Sequence, residues 1–493
     1  MLLKEELIRY LDAGYPILYI NSFEEIKTDR IIRKAVGGRK VLEWNGAVGF
    51  CDFDTKVPII EDLTLNQTLS LLMTDDELDR KLLVLKDVVS YLDEPEITAK
   101  LKYICHSIEN GTDTGIIIVA ADLKMPKELE KYITILEMSY LTEDEIASVI
   151  TNFVAELEQQ ESIGPALMEK MKIAFKGLSE YEIENLLASS ISTFGRFTEE
   201  SLGLILEQKR QMIMKSNILE MVNVKEKIDD IGGLENMKKW LGRKASVFRS
   251  VAKAREYGVD MPKGVLIAGI PGCGKSLAAK ATSALFKVPL LRLDMGRIMG
   301  MYLGESEKNM QKALSLSEAI SPCVLWVDEL EKAFAGASGS GHEVTIRLFG
   351  TLLTWLQEKT SPVFVLATAN DISQLPSELL RKGRFDDIFY VDLPNLDERK
   401  KIIEIHIKKR RKQDLTAIDI DTLAGKSNGF SGADIESAIV EAIECSFSEN
   451  KSSVTTKDLE RVFSETKSIS MLMGDGLKKI REYYKNSNFK NAT

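Results

Sequence analysis

Cysteine and histidine are scarce in this chain of 493 residues, which contains five cysteines and three histidines. No two cysteines form a CxxC pair, and no HxxxH spacing occurs. The sequence therefore contains neither the pattern of a disulfide framework nor that of a zinc site. We expect a protein of the reducing cytoplasm.

Long apolar segments are also absent. The longest apolar runs, such as residues 115–121, fall far short of the roughly 20 residues that a membrane span requires. The first residues, MLLKEELIRYL, have the spacing of an amphipathic helix and include two glutamates, which is untypical of a secretory signal or a transit peptide. We expect no membrane segment and no targeting peptide.

An excess of positive charge is lacking too, since 65 Lys and Arg face 75 Asp and Glu, a formal net charge of -10. This balance does not favour recruitment of the whole chain to nucleic acid or anionic lipid, although local basic patches remain possible. Hydrophobic residues, in contrast, make up 44% of the chain. That share is ample for packed cores, and the length predicts two to four domains.

The clearest motif is a phosphate-binding loop in GVLIAGIPGCGKS, residues 264–276, where an apolar strand runs into G-x-x-x-x-G-K-S. The glycines allow backbone N–H groups to point at phosphate oxygens, and the positive end of the following helix favours the same anions. We expect Lys275 to reach the terminal phosphates of ATP and Ser276 to ligate Mg²⁺. The predicted nucleotide-binding residues of this loop are Pro271, Gly272, Cys273, Gly274, Lys275, Ser276 and Leu277.

Two later apolar strands end in polar residues. CVLWVDEL places Asp328 and Glu329 after one strand, and VFVLATAN places Asn370 after another. Parallel sheets hold ligands at the carboxyl ends of their strands, so Asp328 is predicted to support Mg²⁺ and Glu329 to activate the attacking water. Asn370 is predicted to contact that water or the γ-phosphate. Alone, each could be an ordinary polar strand end, but the preceding phosphate loop favours the catalytic interpretation.

With these motifs in place, residues 228 to about 450 resemble the AAA ATPases. DDIGGLENMK, residues 229–238, is similar to the segment with which that family's ATPase domain begins. The resemblance implies that the backbone around Ile231 and Gly232 lies against adenine. It also implies ATP and Mg²⁺ as cofactors.

GFSGADIESAIVEAI, residues 429–443, resembles the small helical lid of the same family. This resemblance implies that Gly432 and Ala433 lie near the nucleotide, together with His406 in EIHIKKR. Without the family, SGAD before an apolar helix is an ordinary N-terminal capping signal, and both interpretations can hold. A lone histidine among apolar residues is usually a packed one, so His406 has a structural alternative.

LLRKGRFDD, residues 379–387, resembles the family's second region of homology. The resemblance implies that Arg381 and Arg384 are arginine fingers that reach the γ-phosphate in a neighbouring subunit. Such a finger spreads positive charge over the transferred phosphoryl group, and its action in trans implies a ring, which we expect to be a hexamer.

GMYLGESEKN, residues 300–309, resembles the family's first pore loop. The resemblance implies that Tyr302 and Leu303, followed by Gly304, grip a polymer in the ring. An aromatic residue in a loop also often folds back onto the core. Threading and clamping of the polymer remain alternatives.

The first half of the chain contains the same sequence of signals roughly 250 residues earlier. LLVLKDVVSYL places Asp87 at a strand end, as VLWVDEL places Asp328. IIIVAADLKMPKEL sets Asp122 in the position of Asn370. The repeat predicts two modules of one fold.

At the position of the phosphate loop, the first module has PILYINSFEEIKT, residues 16–28, without the glycines, lysine and serine of the motif. Glu24 and Glu25 suit a helix N-terminus but would repel a triphosphate. We therefore expect the first module neither to bind nor to hydrolyse ATP. The whole chain is similar to an AAA ATPase family first known as a conserved plastid and cyanobacterial reading frame, with a degenerate ATPase-like N-terminal half.

The predicted fold class is α/β, with two tandem P-loop NTPase (AAA+) modules, each a parallel sheet layer with a small helical lid. The predicted domains are a degenerate α/β domain (1–140), its lid (141–205), a helical connector (206–222), the active α/β domain (223–393), its lid (394–465) and a helical tail (466–493).

The main hypothesis is a Mg²⁺-dependent, ring-forming AAA ATPase that remodels a protein or protein complex. One alternative is a nucleotide-switched DNA- or RNA-binding ring that uses basic segments such as KKRRK, residues 408–412, although such a run is usually a solvated helix face. Another is a scaffold with ATP-gated assembly. Cys273 also raises the idea of a redox switch, but many small residues fit that loop position.

Overall fold

The computed structural model describes residues 3–73, 79–121, 123–157, 163–215, 218–298, 305–333, 340–372, 375, 377–381, 383–485 and 489–493. The chain divides into two units, Met1–Ser201 and Leu202–Thr493. Within the described ranges, no helix is both long and apolar enough to cross a membrane.

The first unit is built on a six-stranded sheet with the strand order β3-β2-β4-β5-β1-β6. Its pairs are parallel except for the β2–β3 hairpin. Alternate residues of β1 enter two different core clusters, Ile17 and Tyr19 in one, Leu18 and Ile20 in the other. Both faces of the sheet are therefore covered, which explains why its strands are apolar throughout. The strands are β1 (Ile17–Asn21), β2 (Lys40–Asn45), β3 (Gly49–Asp52), β4 (Lys81–Lys86), β5 (Gly115–Ala120) and β6 (Ile133–Glu137).

The helices of the first unit cover this sheet and then continue into a helical segment. Thr142 and Ser179 begin two of the later helices with capping boxes, in which side chain and backbone satisfy each other's hydrogen bonds. The helices are α1 (Leu3–Asp12), α2 (Glu25–Ala35), α3 (Leu65–Met73), α4 (Pro95–Glu109), α5 (Glu143–Glu156), α6 (Pro165–Phe175) and α7 (Glu180–Phe194). The next helix, α8 (Glu199–Lys215), begins at the end of the first unit and continues into the second.

The second unit contains a seven-stranded sheet with the order β13-β12-β8-β11-β10-β9-β7, in which only β7 runs antiparallel to its neighbour. Helices again cover both faces, since Leu266 and Ala268 of β8 enter one core cluster and Val265 and Ile267 the other. The strands are β7 (Leu219–Val222), β8 (Gly264–Gly269), β9 (Leu290–Leu293), β10 (Cys323–Val327), β11 (Val363–Ala369), β12 (Asp387–Val391) and β13 (Lys490–Asn491).

A helical subdomain with its own apolar core follows β12 in the chain, and its helices α15, α17 and α18 begin with capping boxes. The last helix, α19, is kinked at Gly474. The helices of the second unit are α9 (Glu235–Arg249), α10 (Val251–Glu256), α11 (Lys275–Phe286), α12 (Met295–Ile298), α13 (Glu305–Ile320), α14 (Ser340–Glu358), α15 (Leu396–Arg411), α16 (Ile420–Lys426), α17 (Gly432–Ser448), α18 (Thr456–Glu465) and α19 (Ile469–Lys485).

The two sheets share one topology. The parallel strands follow the order β2-β4-β5-β1-β6 in the first unit and β9-β10-β11-β8-β12 in the second. The strand that precedes the phosphate-loop position lies between corresponding neighbours in both units. It is β1, between β5 and β6, in the first unit and β8, between β11 and β12, in the second. The prediction of two α/β modules of one fold class is confirmed.

Candidate nucleotide site

The phosphate loop connects β8 to α11 and depends on glycine for its shape. Gly272 has a φ of +76°, and a Cβ there would lie 2.8 Å from Ser431 Oγ. Gly269 has a φ of +147°, and a Cβ there would lie 2.0 Å from the carbonyl oxygen of Val391. Other residues are excluded at both positions by strain or by collision. The loop therefore holds its backbone against the β12 end and the lid helix α17.

Lys275 is the first residue of α11 and is almost completely buried. Its Nζ donates hydrogen bonds to the carbonyl oxygens of Gly269 and Ile270, both at 2.8 Å. Burial lowers the pKa of Lys275 to about 8, although the carboxylates of Asp328 and Glu329 act in the opposite direction. A buried cation whose hydrogen-bond partners in the described part of the chain are carbonyl oxygens is well suited to receive phosphate oxygens.

Asp328 and Glu329 follow β10 directly and are held by a residue of the neighbouring strand. Thr368 Oγ1 donates to Asp328 Oδ1 at 2.6 Å and accepts a hydrogen bond from the Glu329 backbone N–H at 3.0 Å. No motif in the sequence singled out Thr368. Its signal was a polar residue within the buried strand VFVLATA, where a hydroxyl needs a partner.

Asn370, at the end of β11, lies beside Glu329 as the sequence predicted for strand ends of a parallel sheet. Its Nδ2 is 3.3 Å from Glu329 Oε1 and 3.0 Å from Glu331 Oε1. The other oxygen of Glu329 is 2.5 Å from Lys332 Nζ. Glu331 was not predicted as a site residue, and no motif singled it out.

The lid approaches the phosphate loop through the first turn of α17. Ser431 caps this helix, and the Ala433 N–H donates to the carbonyl oxygen of Gly272 at 3.0 Å. A Cβ on Gly432 would lie 3.2 Å from the same oxygen. The capping and nucleotide-proximity interpretations of SGAD therefore describe the same turn.

On the opposite side, Gly232 lies so close to α15 that a Cβ there would be 2.5 Å from Ile402 Cγ1. Its neighbour Ile231 is buried. His406, also on α15, has its Nδ1 3.5 Å from Glu436 Oε1, and Arg410 bridges both side chains. Burial lowers the pKa of His406, with Glu436 opposing.

These residues line one open cleft of 1120 Å³. Of the predicted residues, it brings together Ile231, Gly232, Pro271, Gly272, Cys273, Gly274, Lys275, Ser276, Leu277, Asp328, Glu329, Asn370, His406, Gly432 and Ala433. Lining residues that the sequence analysis missed include Thr368, Asp392, Pro394, Glu398, Ile402 and Glu436. The capping box that begins α15 was a signal for Glu398, whose Oε1 also accepts from the Leu234 N–H at 3.0 Å.

The predicted arginine fingers do not line this cleft. Arg381 is exposed and follows the short 3₁₀ turn Ser377–Leu380. The Arg384 guanidinium donates to the carbonyl oxygen of Glu378. Tyr302 and Leu303, the predicted pore-loop residues, lie outside the described residues.

Cys273 in the phosphate loop is a free thiol. Burial raises its pKa to about 12, so the thiol is protonated at neutral pH. Because the thiolate is the reactive form, this environment argues against a redox switch.

The donor chemistry of the cleft fits Mg²⁺. The Ser276 hydroxyl and the Asp328 carboxylate both line it and are hard oxygen ligands. Mg²⁺ is usually held by one or two such protein ligands together with substrate phosphates and waters. The two side chains would hold the ion at the phosphate end of the cleft.

In the first unit, the corresponding connection between β1 and α2 spans residues 22–24, against 270–274 in the second. It contains no glycine, and Glu24 Oε1 accepts a hydrogen bond from the Glu180 N–H at the start of α7, at 3.0 Å. Arg30 pairs with Glu180 at 2.8 Å. The Glu24 side chain thus contacts the N-terminus of α7, whereas in the second unit the backbone of the phosphate loop contacts the N-terminus of α17.

Further charged side chains complete this replacement. Lys86, at the end of β4, is buried and lies 2.8 Å from Asp29 and 3.4 Å from Glu43. Asp87 accepts a hydrogen bond from the Gly46 N–H at 3.2 Å. Asp122 lies outside the described residues. In the described part of this unit, the charged side chains near the carboxyl ends of the strands therefore have protein partners.

Family models match four parts of the chain. The model of the ATPase family associated with various cellular activities (AAA) matches residues 265–393, and the AAA+ lid domain matches 417–461. The N-terminal and second domains of SpoVK-like AAA ATPases match residues 3–138 and 144–216.

Over 460 residues, the chain is 41% identical to the AAA domain-containing protein ycf46 of Guillardia theta, and the match covers 91% of this chain and 88% of that protein. This chain belongs to the ycf46 family of AAA proteins. The AAA ATPase is also 37% identical over 463 residues to ycf46 of Pyropia yezoensis, with 92% of each chain covered. As an AAA ATPase it is an ATP hydrolase, and the resemblance seen in the sequence is confirmed.

A more distant similarity joins this AAA ATPase to the ATP-dependent zinc metalloprotease FtsH of Thermotoga maritima. The two are 30% identical over 264 residues, which are 52% of this chain and 43% of FtsH. The protease in that name belongs to FtsH. The present sequence lacks an HExxH motif, and its described residues contain no group of three or more His, Cys, Asp or Glu side chains placed to hold a metal ion.

Proposed function

We propose that several copies of this AAA ATPase form a ring in which Mg²⁺-dependent ATP hydrolysis drives the remodelling of a protein or protein complex. The observation that carries the proposal is the convergence on one cleft of Lys275, which begins α11, with Asp328, Glu329 and Asn370, which follow the adjacent strands β10 and β11. Ser276 joins them from the start of α11.

Within this cleft, the residues divide the work by their chemistry. Lys275 binds the terminal phosphates, and Ser276 and Asp328 hold Mg²⁺. When bound, the ion neutralises charge on the phosphate oxygens. Glu329 orients the attacking water and takes its proton, while Asn370 holds the water or the γ-phosphate.

The ring is supported by the positions of the two predicted arginine fingers. Arg381 is exposed, Arg384 is half-buried, and neither lines the cleft, so a neighbouring subunit would supply the arginine that stabilises the transferred phosphoryl group. Mixing Arg384→Ala with Lys275→Ala chains tests this directly. Each variant alone should be inactive, whereas mixed rings should regain activity, because an intact cleft meets an intact finger. Arg243→Ala, a substitution of an exposed arginine on α9, is the matched control and should keep activity. Failure of every mixing ratio to restore activity would argue against fingers in trans.

Protein remodelling is favoured over nucleic-acid binding by the state of the basic segment 408–412. Arg410 pairs with Glu436, and Arg411 pairs with Asp414, so part of its charge is already neutralised within the lid. The similarity to FtsH, an ATP-dependent protein-processing enzyme by name, points in the same direction.

The test of the substrate class is a trap. Glu329→Gln should retain ATP without hydrolysing it and hold the substrate, which is then recovered from host extract. The same trap with Tyr302→Ala is the control. A protein retained only when Tyr302 is present supports remodelling through the pore loop, whereas nucleic acid retained with either trap would overturn it.

A further inference from the structure

We infer that Glu331 is a positioning residue for hydrolysis, because its buried carboxylate fixes the orientation of the Asn370 amide beside Glu329. Glu331 lies in the 3₁₀ turn Leu330–Ala333, which directly follows Asp328 and Glu329 after β10. The inference rests on the function proposed above and adds to it a residue that does not itself touch ATP.

The first observation is the position of the carboxylate. Glu331 is only 6% exposed, although glutamate is almost never buried without a partner. Its Oε1 accepts two hydrogen bonds from Asn370, one from the backbone N–H at 3.1 Å and one from Nδ2 at 3.0 Å. One oxygen therefore holds both the main chain and the side chain of the same residue.

The second observation concerns the direction of the amide. A carboxylate accepts hydrogen bonds, so the NH₂ group of Asn370, and not its oxygen, must face Glu331. The second hydrogen of this NH₂ group is available to Glu329 Oε1, at 3.3 Å. With both hydrogens directed at carboxylates, the amide oxygen is turned away from them and can accept a hydrogen bond from the attacking water.

The third observation separates this contact from the other partner of Glu329. Lys332 pairs with Glu329 Oε2 at 2.5 Å, but its side chain is 66% exposed, and exposed ion pairs contribute little. The contact of Glu331 with Asn370 is partly buried, and the Glu331 side of it is 6% exposed. Glu331 Oε2 has no hydrogen-bond partner in the described part of the chain, so this carboxylate is not accounted for by hydrogen bonding alone.

The test compares Glu331→Gln with Glu331→Met. Both remove the charge and have similar volume, but only glutamine keeps an oxygen that can accept from Asn370. We expect the glutamine variant to keep kcat within about threefold of the wild type and the methionine variant to lose at least tenfold, each with an unchanged Kd for a fluorescent ATP analogue. Equal losses in both variants would show that charge, and not the acceptor, matters, and would overturn the inference.

A double-mutant cycle supplies the second readout. If Glu331 acts through Asn370, then Glu331→Met should add no further loss of kcat to an Asn370→Ala chain, whereas independent structural damage would add. Should Glu331→Met fail to fold, Glu331→Asn takes its place, since its amide is one methylene too short to reach Asn370. Glu318→Met, which removes another half-buried acceptor outside the cleft, should leave kcat unchanged.

Glu329→Gln is measured in parallel and distinguishes a failure of the proposed function from a failure of the positioning role of Glu331. Normal turnover in Glu329→Gln contradicts the proposed function, whatever Glu331 does. An inactive Glu329→Gln together with wild-type kcat in Glu331→Met contradicts only the positioning role.

Discussion

At the scale of single residues, the cleft exists because two glycines let its walls approach each other. Gly232 lies against Ile402 of the lid, and Gly272 lies against Ser431, in each case closer than a Cβ permits. Both contacts join the sheet layer to the lid. The missing side chains therefore set the width of the cleft where a nucleotide would bind.

Substitution of Gly232 tests this. Gly232→Ala should weaken the binding of adenine nucleotides by roughly tenfold or more, because its Cβ would lie 2.5 Å from Ile402 Cγ1 and 2.9 Å from the Ile402 backbone nitrogen. Titration with a fluorescent nucleotide measures the change. Gly242→Ala is the matched control, since nothing lies within 4 Å of a Cβ there and alanine favours the helix by about 1 kcal/mol. Equal affinity in the two variants would contradict this account of the cleft.

Lys275 should make nucleotide affinity dependent on pH. Its pKa in the protein is about 8, so it is mostly charged at pH 7 and mostly neutral at pH 9. Phosphate favours the charged form and raises this pKa, so binding takes up a proton above pH 8 and weakens by roughly fivefold between pH 8 and pH 9. Calorimetry in buffers of different ionisation enthalpy measures the proton uptake. Lys275→Met should bind weakly and without this dependence; a flat profile in the wild type would contradict the prediction.

At the scale of elements, the end of the described chain contributes to the second unit's sheet. β13 pairs with β12, and Ala492 is completely buried, with its N–H bonded to the carbonyl oxygen of Tyr390. The Ala492 carbonyl oxygen accepts from the N–H groups of Asn236 and Met237 at the start of α9. The strand β13 and the residue after it, Ala492, therefore join the edge strand β12 to the start of α9.

A charge at Ala492, directly after this strand, should disturb both stability and binding. We expect Ala492→Asp to lower the free energy of unfolding by roughly 3 kcal/mol, because it buries an unpaired carboxylate. Nucleotide affinity should fall with it, since α9 loses its anchor. Urea unfolding and nucleotide titration check the two effects. Lys490→Ala, in β13 itself, removes only the surface ion pair with Asp387 and should cost less than about 1 kcal/mol. Similar losses in both variants would argue against the anchor.

At the scale of the whole molecule, the same topology occurs twice, with different side chains near the carboxyl ends of the strands. The second unit has a glycine-containing loop and a cleft, whereas the loop of the first unit is shorter. In the first unit, the Glu24 carboxylate accepts a hydrogen bond from the start of α7, and the buried Lys86 lies between Asp29 and Glu43. We therefore expect one nucleotide site per chain.

Two lysine substitutions distinguish the units. Lys275→Met should abolish the binding of the single nucleotide. Lys86→Met should leave one nucleotide bound per chain but destabilise the first unit by roughly 1–3 kcal/mol, because it removes one of the two lysines, Lys86 and Lys56, that pair with the buried Asp29 and Glu43. Calorimetric stoichiometry and thermal unfolding provide the measurements. A wild-type stoichiometry near two, or one lost in Lys86→Met, would contradict the assignment.

Most of the candidate cleft could be predicted from local sequence. The phosphate loop, the carboxylates after β10 and the amide after β11 each follow an apolar strand, and parallel strands bring their carboxyl ends to one edge. The resemblance to AAA ATPases added the adenine side and the lid. Thr368 and Glu331 escaped because their roles depend on the neighbouring strand, and the fingers and pore loop remain predictions.

The sequence by itself determined the two modules of one fold class and the ATPase family, since motifs and apolar periodicity are properties of consecutive residues. It predicted only helix for the connector and the tail, where the structure also has the short strands β7 and β13, because strands this short depend on pairing with a neighbouring strand. Only the tertiary structure decided which side chains meet. The contact of Glu331 with Asn370 and that of Lys86 with Asp29 join residues on different elements, brought together by strand order and packing. Local pattern does not encode these pairs, because the free energy that selects them arises from burial and hydrogen bonding between segments far apart in the chain.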